Sequence, residues 1–363
     1  MSFEGLRIGL VGPLAPPAGG MALQTEQLAR LLRQAGASVE IVQTNAPYKP
    51  AFAGRIPALR ALFRLLPYLA RLWGLAGRSD VIHLMANSGW SWHLFAAPAV
   101  WIAHARGTPV VVNYRGGGAA DFLAGSPPLL RQTLARTAAL IVPSGFLQKV
   151  FGDHGLPAAI VPNVIDLGRY SPGAGGRDPA APHLIVTRNL EPIYDNASAI
   201  RALALLRADW PGARLTVAGS GPELAMLQAL AAELGVAGAV HFAGRLDRAA
   251  MAALYRSADL MFNPSVTDNM PNSVLEALAA GVPVVSTNVG GVPYLLEDGR
   301  TGLLVEPRQA EALAAAARRV LGEPELRRQL IANGLREVQR YTWDQVAPLL
   351  RQTYRAALGS AKD

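Results

Sequence analysis

Residues 262–285, FNPSVTDNMPNSVLEALAAGVPVV, set Asp268, Asn269, Met270, Asn272, Ser273 and Glu276 between two apolar runs. Carboxylates accept hydrogen bonds from hydroxyl groups, and amides and serine hydroxyls both donate and accept. The stretch therefore carries hydroxyl-binding chemistry where a buried strand would otherwise continue. The pattern predicts a strand ending near Pro264, a loop bearing Asp268, and a helix capped by Asn272 or Ser273 that presents Glu276. Taken from its own turn alone, Glu276 reads as a solvated helix residue, and Arg188 in VTRNLEP reads as a surface partner of Glu191. Gly19 and Gly20 follow an apolar run and precede a helical one, so a phosphate or sugar could approach the backbone there. A plain turn accounts for two glycines as well. The spacing Gly-x-Gly-x-x-Gly is absent from that loop, which argues against a nicotinamide dehydrogenase. His83, His93, His104 and His241 lack ligand spacing and read as structural.

The elements that must position these groups alternate. LRIGLVGP (6–13), SVEIVQT (38–44), VIHLM (81–85), PVVVNY (109–114) and ALIVPS (139–144) are short Val/Ile-rich strands separated by helical stretches. HLIVTRNL, ARLTVAGSGP, AVHFAG, LMFNPS and VPVVST repeat the alternation with ELAMLQALAAEL, RAAMAALYRSA and NSVLEALAAG as helices. Such alternation implies parallel sheets covered on both faces. The expected class is α/β with two Rossmann-like, doubly wound domains: residues 1–165, a Gly/Pro-rich linker at 166–182, residues 183–340, and a C-terminal helix at 341–363 that packs back on the first domain. In doubly wound sheets ligands bind beyond the carboxyl ends of the strands, where helix N-termini favour anions. Two such domains facing each other would make one cleft. Residues 81–105 carry no charged side chain, yet Asn87, Ser88, Gly89 and Pro98 interrupt them. They read as strand, loop and buried helix rather than a membrane span.

Composition narrows the function. The chain has 363 residues, 51% of them hydrophobic, and suits two domains of roughly 150–200 residues. The absence of cysteine excludes disulfides, thiolate nucleophiles and Cys-ligated metals. The start, MSFEGLRIGLVGP, lacks a long apolar core and a cleavage site, so a cytoplasmic protein is expected. Residues 1–170 hold 15 Lys+Arg against 7 Asp+Glu, whereas the remainder is balanced, so the whole net charge of +8 belongs to the first half. That half is expected to face an anionic partner. RIPALRALFRLLPYLARLWGLAGR (55–78) contains no acidic residue. On a helix Arg60, Arg64, Arg71 and Arg78 fall in a narrow arc, with Leu59, Leu62, Phe63, Leu66, Leu69 and Trp73 opposite. The pattern suits a membrane interface and equally a crossover helix on a sheet, kinked at Pro67. No aromatic stacking strip accompanies the charge, so no nucleic-acid partner is expected.

Asp268 and Glu276, eight residues apart, fit a Glu-x7-Glu signature with Asp in the first place. With GGVPYLLEDGRTGLLVEP (290–307), VPNVID (161–166), VAGSGPE (217–223) and the PAGG loop, the chain resembles the family 4 retaining glycosyltransferases of GT-B architecture over nearly its whole length. The resemblance implies that Glu276 holds the ribose hydroxyls of a sugar nucleotide and Asp268 lies near the sugar's own hydroxyls. It further implies that Asn269, Met270, Asn272 and Ser273 offer backbone N–H groups to sugar and diphosphate. Arg188 would neutralise the leaving diphosphate, Gly20 beside Gly19 would meet the donor phosphate, and Arg245 would lie near the base. No metal or other cofactor is implied, and retention is explained by front-face attack. Three positions depart from the pattern. The lysine a few residues after the arginine is replaced by Tyr194, Asp195 and Asn196; the histidine of PVVVNYRGGG is Arg115; and the first acid is shortened to Asp268. Arg115 is a candidate to supply the lost lysine's charge.

These features predict a nucleotide-sugar donor, a saccharide or lipid-linked acceptor in glycolipid or polysaccharide assembly, and a peripheral position on the cytoplasmic face of an anionic membrane. The other readings are a GT-B sugar-nucleotide epimerase or phosphorylase, and a catalytically weak sugar-nucleotide or membrane-binding module.

Overall fold

The computed structural model describes residues 3–16, 19–47, 57–125, 128–173 and 178–359, with the side chains of 57–62 left aside. The chain divides into two units, Met1–Val164 with Trp343–Asp363, and Ile165–Thr342.

In the first unit six parallel strands, β1 (Arg7–Gly12), β2 (Ser38–Gln43), β3 (Val81–Ala86), β4 (Val110–Tyr114), β5 (Ala139–Val142) and β6 (Ala159–Ile160), lie in the order β2-β1-β3-β4-β5-β6. Residues alternate between faces, so Ile82 and Leu84 of β3 join one core while Val81 and Met85 join the other. Both faces are covered, so central strands such as β3 and β4 are buried throughout, whereas the edge strand β2, SVEIVQ, alternates buried and exposed residues. Helices α1 (Gly20–Gln34), α2 (Pro57–Arg78), α3 (Ala97–Ala105), α4 (Ala119–Ala124), α5 (Pro128–Leu134) and α6 (Gly145–Asp153) connect the strands. The uncharged stretch 81–105 is strand β3, a loop and turn, and α3, whose Ala99, Val100 and Ala103 are buried. No helix of the described residues is long and apolar enough to cross a membrane.

Helix α2 has three faces rather than the two read from its sequence. Tyr68, Leu72, Leu75 and Ala76 pack into the core, as in a crossover helix. Phe63, Leu66 and Trp73 are nonetheless exposed, at 37%, 57% and 51%. Arg71 is exposed beside them, the Arg106 guanidinium stands 4.9 Å over the Trp73 ring, and Arg78 is paired with Glu40 at 2.7 Å. Arg64 is partly buried, and the side chain of Arg60 lies outside the described residues, as do Leu59 and Leu62.

The second unit repeats the plan with β7 (His183–Val186), β8 (Arg214–Ala218), β9 (Val240–Gly244), β10 (Leu260–Asn263), β11 (Val284–Thr287) and β12 (Leu303–Val305) in the order β12-β11-β10-β7-β8-β9. Helices α7 (Asn196–Leu206), α8 (Leu224–Glu233) and α11 (Ala310–Gly322) cover one face, while α9 (Arg248–Ser257) and α10 (Asn272–Ala279) pack on the other. Ile165 and Tyr170, at the start of the Gly/Pro-rich passage, join this unit's core. Residues 174–177 of that passage lie outside those described. The tail is helical but broken: α12 (Pro324–Glu337) ends in a tight turn at Val338–Tyr341, after which α13 (Trp343–Gly359) packs into the first unit through Val346, Leu350 and Tyr354.

Candidate active site

Strand order reverses direction in the second unit between β7 and β10. The chain leaves β7 toward β8 on one side and leaves β10 toward β11 on the other. Such a switch point opens a crevice beyond the carboxyl ends of the two strands. Arg188 follows β7, and Asp268 follows β10. Their side chains meet there: Arg188 Nη2 lies 2.5 Å from Asp268 Oδ2, with both side chains about nine-tenths buried, at 13% and 11% exposure. Arg188 Nη1 donates to Ser273 Oγ at 3.4 Å, and its guanidinium stacks 4.1 Å over the Tyr194 ring. Its Nε is buried with no protein partner. The other oxygen of Asp268 accepts the Asn269 backbone N–H at 3.0 Å. Arg188 thus pairs with Asp268, not with Glu191, which accepts from Asn189.

Two glycine pairs let the backbone come this close. A β-carbon on Gly219 would lie 2.0 Å from the Arg188 carbonyl oxygen, and one on Gly291 would lie 1.7 Å from that of Asn269. Leu190 N–H donates to Ser220 O, and Gly291 N–H to Asp268 O. The segments VAGSGPE and GGVPY therefore act as struts beneath the arginine and the acid. Ser220 Oγ also accepts from Arg245 Nε at 2.6 Å, which sets the exposed Arg245 beside the strut that supports Arg188.

Glu276 lies half-buried one turn inside α10. Tyr255 donates to its Oε2 at 3.0 Å, and Tyr170, edge-on to Tyr255 with ring centroids 5.6 Å apart, interacts with the same carboxylate. Thr187 and Tyr255 hydroxyls lie 2.7 Å apart, so Thr187 can donate to Tyr255 while Tyr255 donates to the carboxylate. Burial pushes the Glu276 carboxyl up to about 7, against the opposing pull of the two tyrosines, Arg169 and Arg188. The helix is not capped as its sequence suggests. Pro271 occupies the cap position, φ −66° and ψ 117°, with no side-chain cap bond, and Asn272 is already the first helical residue. Ser273 is free for Arg188 because the fixed φ of Pro271 starts the helix without its hydroxyl.

The site therefore gathers Arg188, Asp268, Asn269, Ser273, Glu276 and Arg245 within one unit, with Met270 buried in the same loop. Its positive end is a guanidinium and a helix N-terminus, which suit an anion, and its carboxylates suit hydroxyls. Sequence reasoning missed Thr187, Tyr170 and Tyr255 and gave Tyr194 no role. Gly19, Gly20 and Arg115 belong to the first unit. Gly19 stands at the cap of α1 in extended backbone, and a β-carbon there would meet nothing within 4 Å. Arg115 leaves β4 beside His83 and Asn113.

A doubly wound pair of parallel-sheet units with an arginine and two acids at one switch point defines the GT-B glycosyltransferase class. Comparison with known proteins agrees and sharpens it. The description Glycosyl transferases group 1 matches residues 176–337, and Glycosyltransferase Family 4 matches residues 18–169. A glycogen synthase of Mycobacterium tuberculosis is 32% identical over 296 residues, 77% of this chain and 69% of that protein. A D-inositol 3-phosphate glycosyltransferase of Actinosynnema mirum is 29% identical over 97% of this chain and 95% of its own length. Among solved structures, sucrose-phosphate synthase from Thermosynechococcus elongatus superposes with a TM-score of 0.74 at 21% identity, covering 98% of this chain and all of the other. Anabaena HepE in complex with UDP gives 0.76 at 18% identity over 97% and 100%. The chain belongs to family 4 of the glycosyltransferases, and it is an enzyme of that activity.

Proposed function

We propose that the chain is a retaining glycosyltransferase that takes a sugar from a nucleotide-sugar donor, a UDP-sugar first among them, to a saccharide or lipid-linked acceptor. The assembly of Arg188, Asp268 and half-buried Glu276 at the ends of β7 and β10 carries this reading. UDP is favoured because Anabaena HepE was solved with UDP and with UDP-glucose. In this account the two oxygens of Glu276 accept the ribose hydroxyls. Arg188, with the α10 N-terminus, stabilises the charge that develops on the diphosphate as the bond from the sugar's C1 to phosphate oxygen breaks. The acceptor oxygen attacks C1 from the same face, and the leaving phosphate oxygen takes its proton, so no protein base is needed. Asp268 holds Arg188 in place and accepts from the sugar. Arginine and helix dipole supply the positive charge, and the reaction is expected to run unchanged in EDTA.

The acceptor is placed at an anionic membrane surface on the cytoplasmic side, in glycolipid or polysaccharide assembly. The support is the exposed ridge of Phe63, Leu66 and Trp73 flanked by Arg71, on the unit that carries the net positive charge. Arg78 contributes little, being neutralised by Glu40.

The test is a thermal-shift panel of UDP-, GDP-, ADP- and CMP-sugars, followed by NMR of the sugar released from the stabilising donor. One nucleotide is expected to raise the melting midpoint, and the first anomer released is expected to keep the donor's configuration. Stabilisation by none of the four, or an inverted first product, would refute the reading.

A further inference from the structure

The first unit contains a cavity between α1, α13 and the exits of β3 and β4, walled by Gln24 and Gln27 of α1, Trp343 of α13, and His83, Asn113 and Arg115 of the strands. Among the described residues no Asp or Glu lines it. Arg115 Nη2 and Asn113 Oδ1 are buried atoms with no hydrogen-bond partner among the described residues. The neighbouring polar groups are already committed to one another. The Tyr354 hydroxyl lies 2.9 Å from His83 Nδ1, and His83 Nε2 lies 3.1 Å from Asn113 Nδ2. His83 is thereby held as a neutral imidazole, pushed down to about 3 by burial and further by the charge of Arg115. Burial also pushes the Arg115 guanidinium down to about 10. A guanidinium presents a planar fork of donors that matches two oxygens of one anion, and leaving it desolvated and unpaired costs folding free energy. Neither His83 nor any lining carboxylate can repay that cost.

We infer that this cavity is an oxyanion site, in which Arg115 grips a phosphate or carboxylate group between α1 and α13. The reasoning uses only the first unit and does not depend on which donor the second unit binds. The anion is a free ion or a charged group on the acceptor, and the donor diphosphate is the competing source that the test rules out. Only the first two would make a site separate from the one at Arg188.

Melting midpoints are measured at constant ionic strength with inorganic phosphate, with acetate, and with UDP, on the natural protein and on Arg115→Gln and Arg115→Lys. Phosphate or acetate is expected to raise the natural midpoint by about 2–4 °C at ten times its Kd. Arg115→Gln should melt no lower than the natural protein in phosphate-free buffer, because it removes an unpaired buried charge. It should also lose the phosphate and acetate response while keeping that to UDP. Arg115→Lys, which keeps the charge but not the fork, should retain a response weakened at least threefold. No response of the natural protein to either anion, or an undiminished response in Arg115→Gln, overturns the proposal. So does loss of the UDP response in Arg115→Gln, which would assign this guanidinium to the donor. Should UDP fail to stabilise the natural protein while phosphate does, the donor reading falls and the oxyanion site stands.

Discussion

Glu276 and Tyr194 show what a single side chain settles here. A carboxyl raised from 4.5 to about 7 is favoured neutral by the fold, so its contribution to stability is complete below pH 4.5 and is lost as pH rises through 7. That loss amounts to about 3 kcal/mol. Urea unfolding at pH 5 and pH 8 should show it in the natural protein, and Glu276→Gln should abolish the difference; parallel loss in both would contradict the burial argument. Hydrogen bonds from ribose hydroxyls would favour the ionised form. Affinity for a UDP-sugar, whose diphosphate does not titrate in this range, should therefore rise up to about tenfold from pH 6 to pH 8, and not in Glu276→Gln. Tyr194, one of the three residues standing in the stretch where the resemblance expects a lysine, stacks on Arg188. A cation–π contact of about 1 kcal/mol predicts that Tyr194→Leu lowers kcat roughly fivefold while Tyr194→Phe does not. Equal losses would assign the effect to the hydroxyl. Asp268 and Glu276 drew notice as charge inside an apolar frame, but the roles of Arg188 and Glu276 were legible only through the family resemblance. Tyr255 was not, since a tyrosine at an apolar helix position reads as core until its hydroxyl's partner is seen, nor were Tyr170 and Thr187, which lie in loop segments and carry no charge.

At the scale of elements, strands such as β1, β3, β4, β5 and β7, each carrying three Val, Ile or Leu residues, were legible as such. The two-residue β6 and three-residue β12 were not, because neither is long enough to show a period. The α10 cap was misread for a local reason: Asn and Ser are strong cap formers, but Pro271 takes the position by its fixed φ. Helix α2 was read with two faces where it has three, because its sequence is apolar well beyond what the sheet covers. The struts under the site make a sharp prediction. In Gly291→Ala or Gly219→Ala the new methyl would meet backbone oxygen inside 2.1 Å, so one loop must move. Either variant should lose donor binding by tenfold or more while the far-UV circular dichroism stays that of the natural protein. Unchanged binding would show that the loops do not fix Arg188 and Asp268.

For the whole molecule, the net positive charge and the exposed ridge of Phe63, Leu66 and Trp73 on α2 fall in the same half. Co-sedimentation with anionic vesicles should be strong at low salt and weak at high salt, and Trp73→Ser with Leu66→Ser should reduce it severalfold. Indifference to lipid charge would remove the membrane from the account. The central claim is narrower: one donor is held by the arginine after β7 and the acids beyond β10. Calorimetric titration of a UDP-sugar into the natural protein and into Arg188→Ala, with circular dichroism confirming that both are folded, tests it most directly. Loss of one buried charge-assisted contact to phosphate predicts about 30- to 100-fold weaker binding in the variant. Binding of equal strength in the two proteins would contradict it.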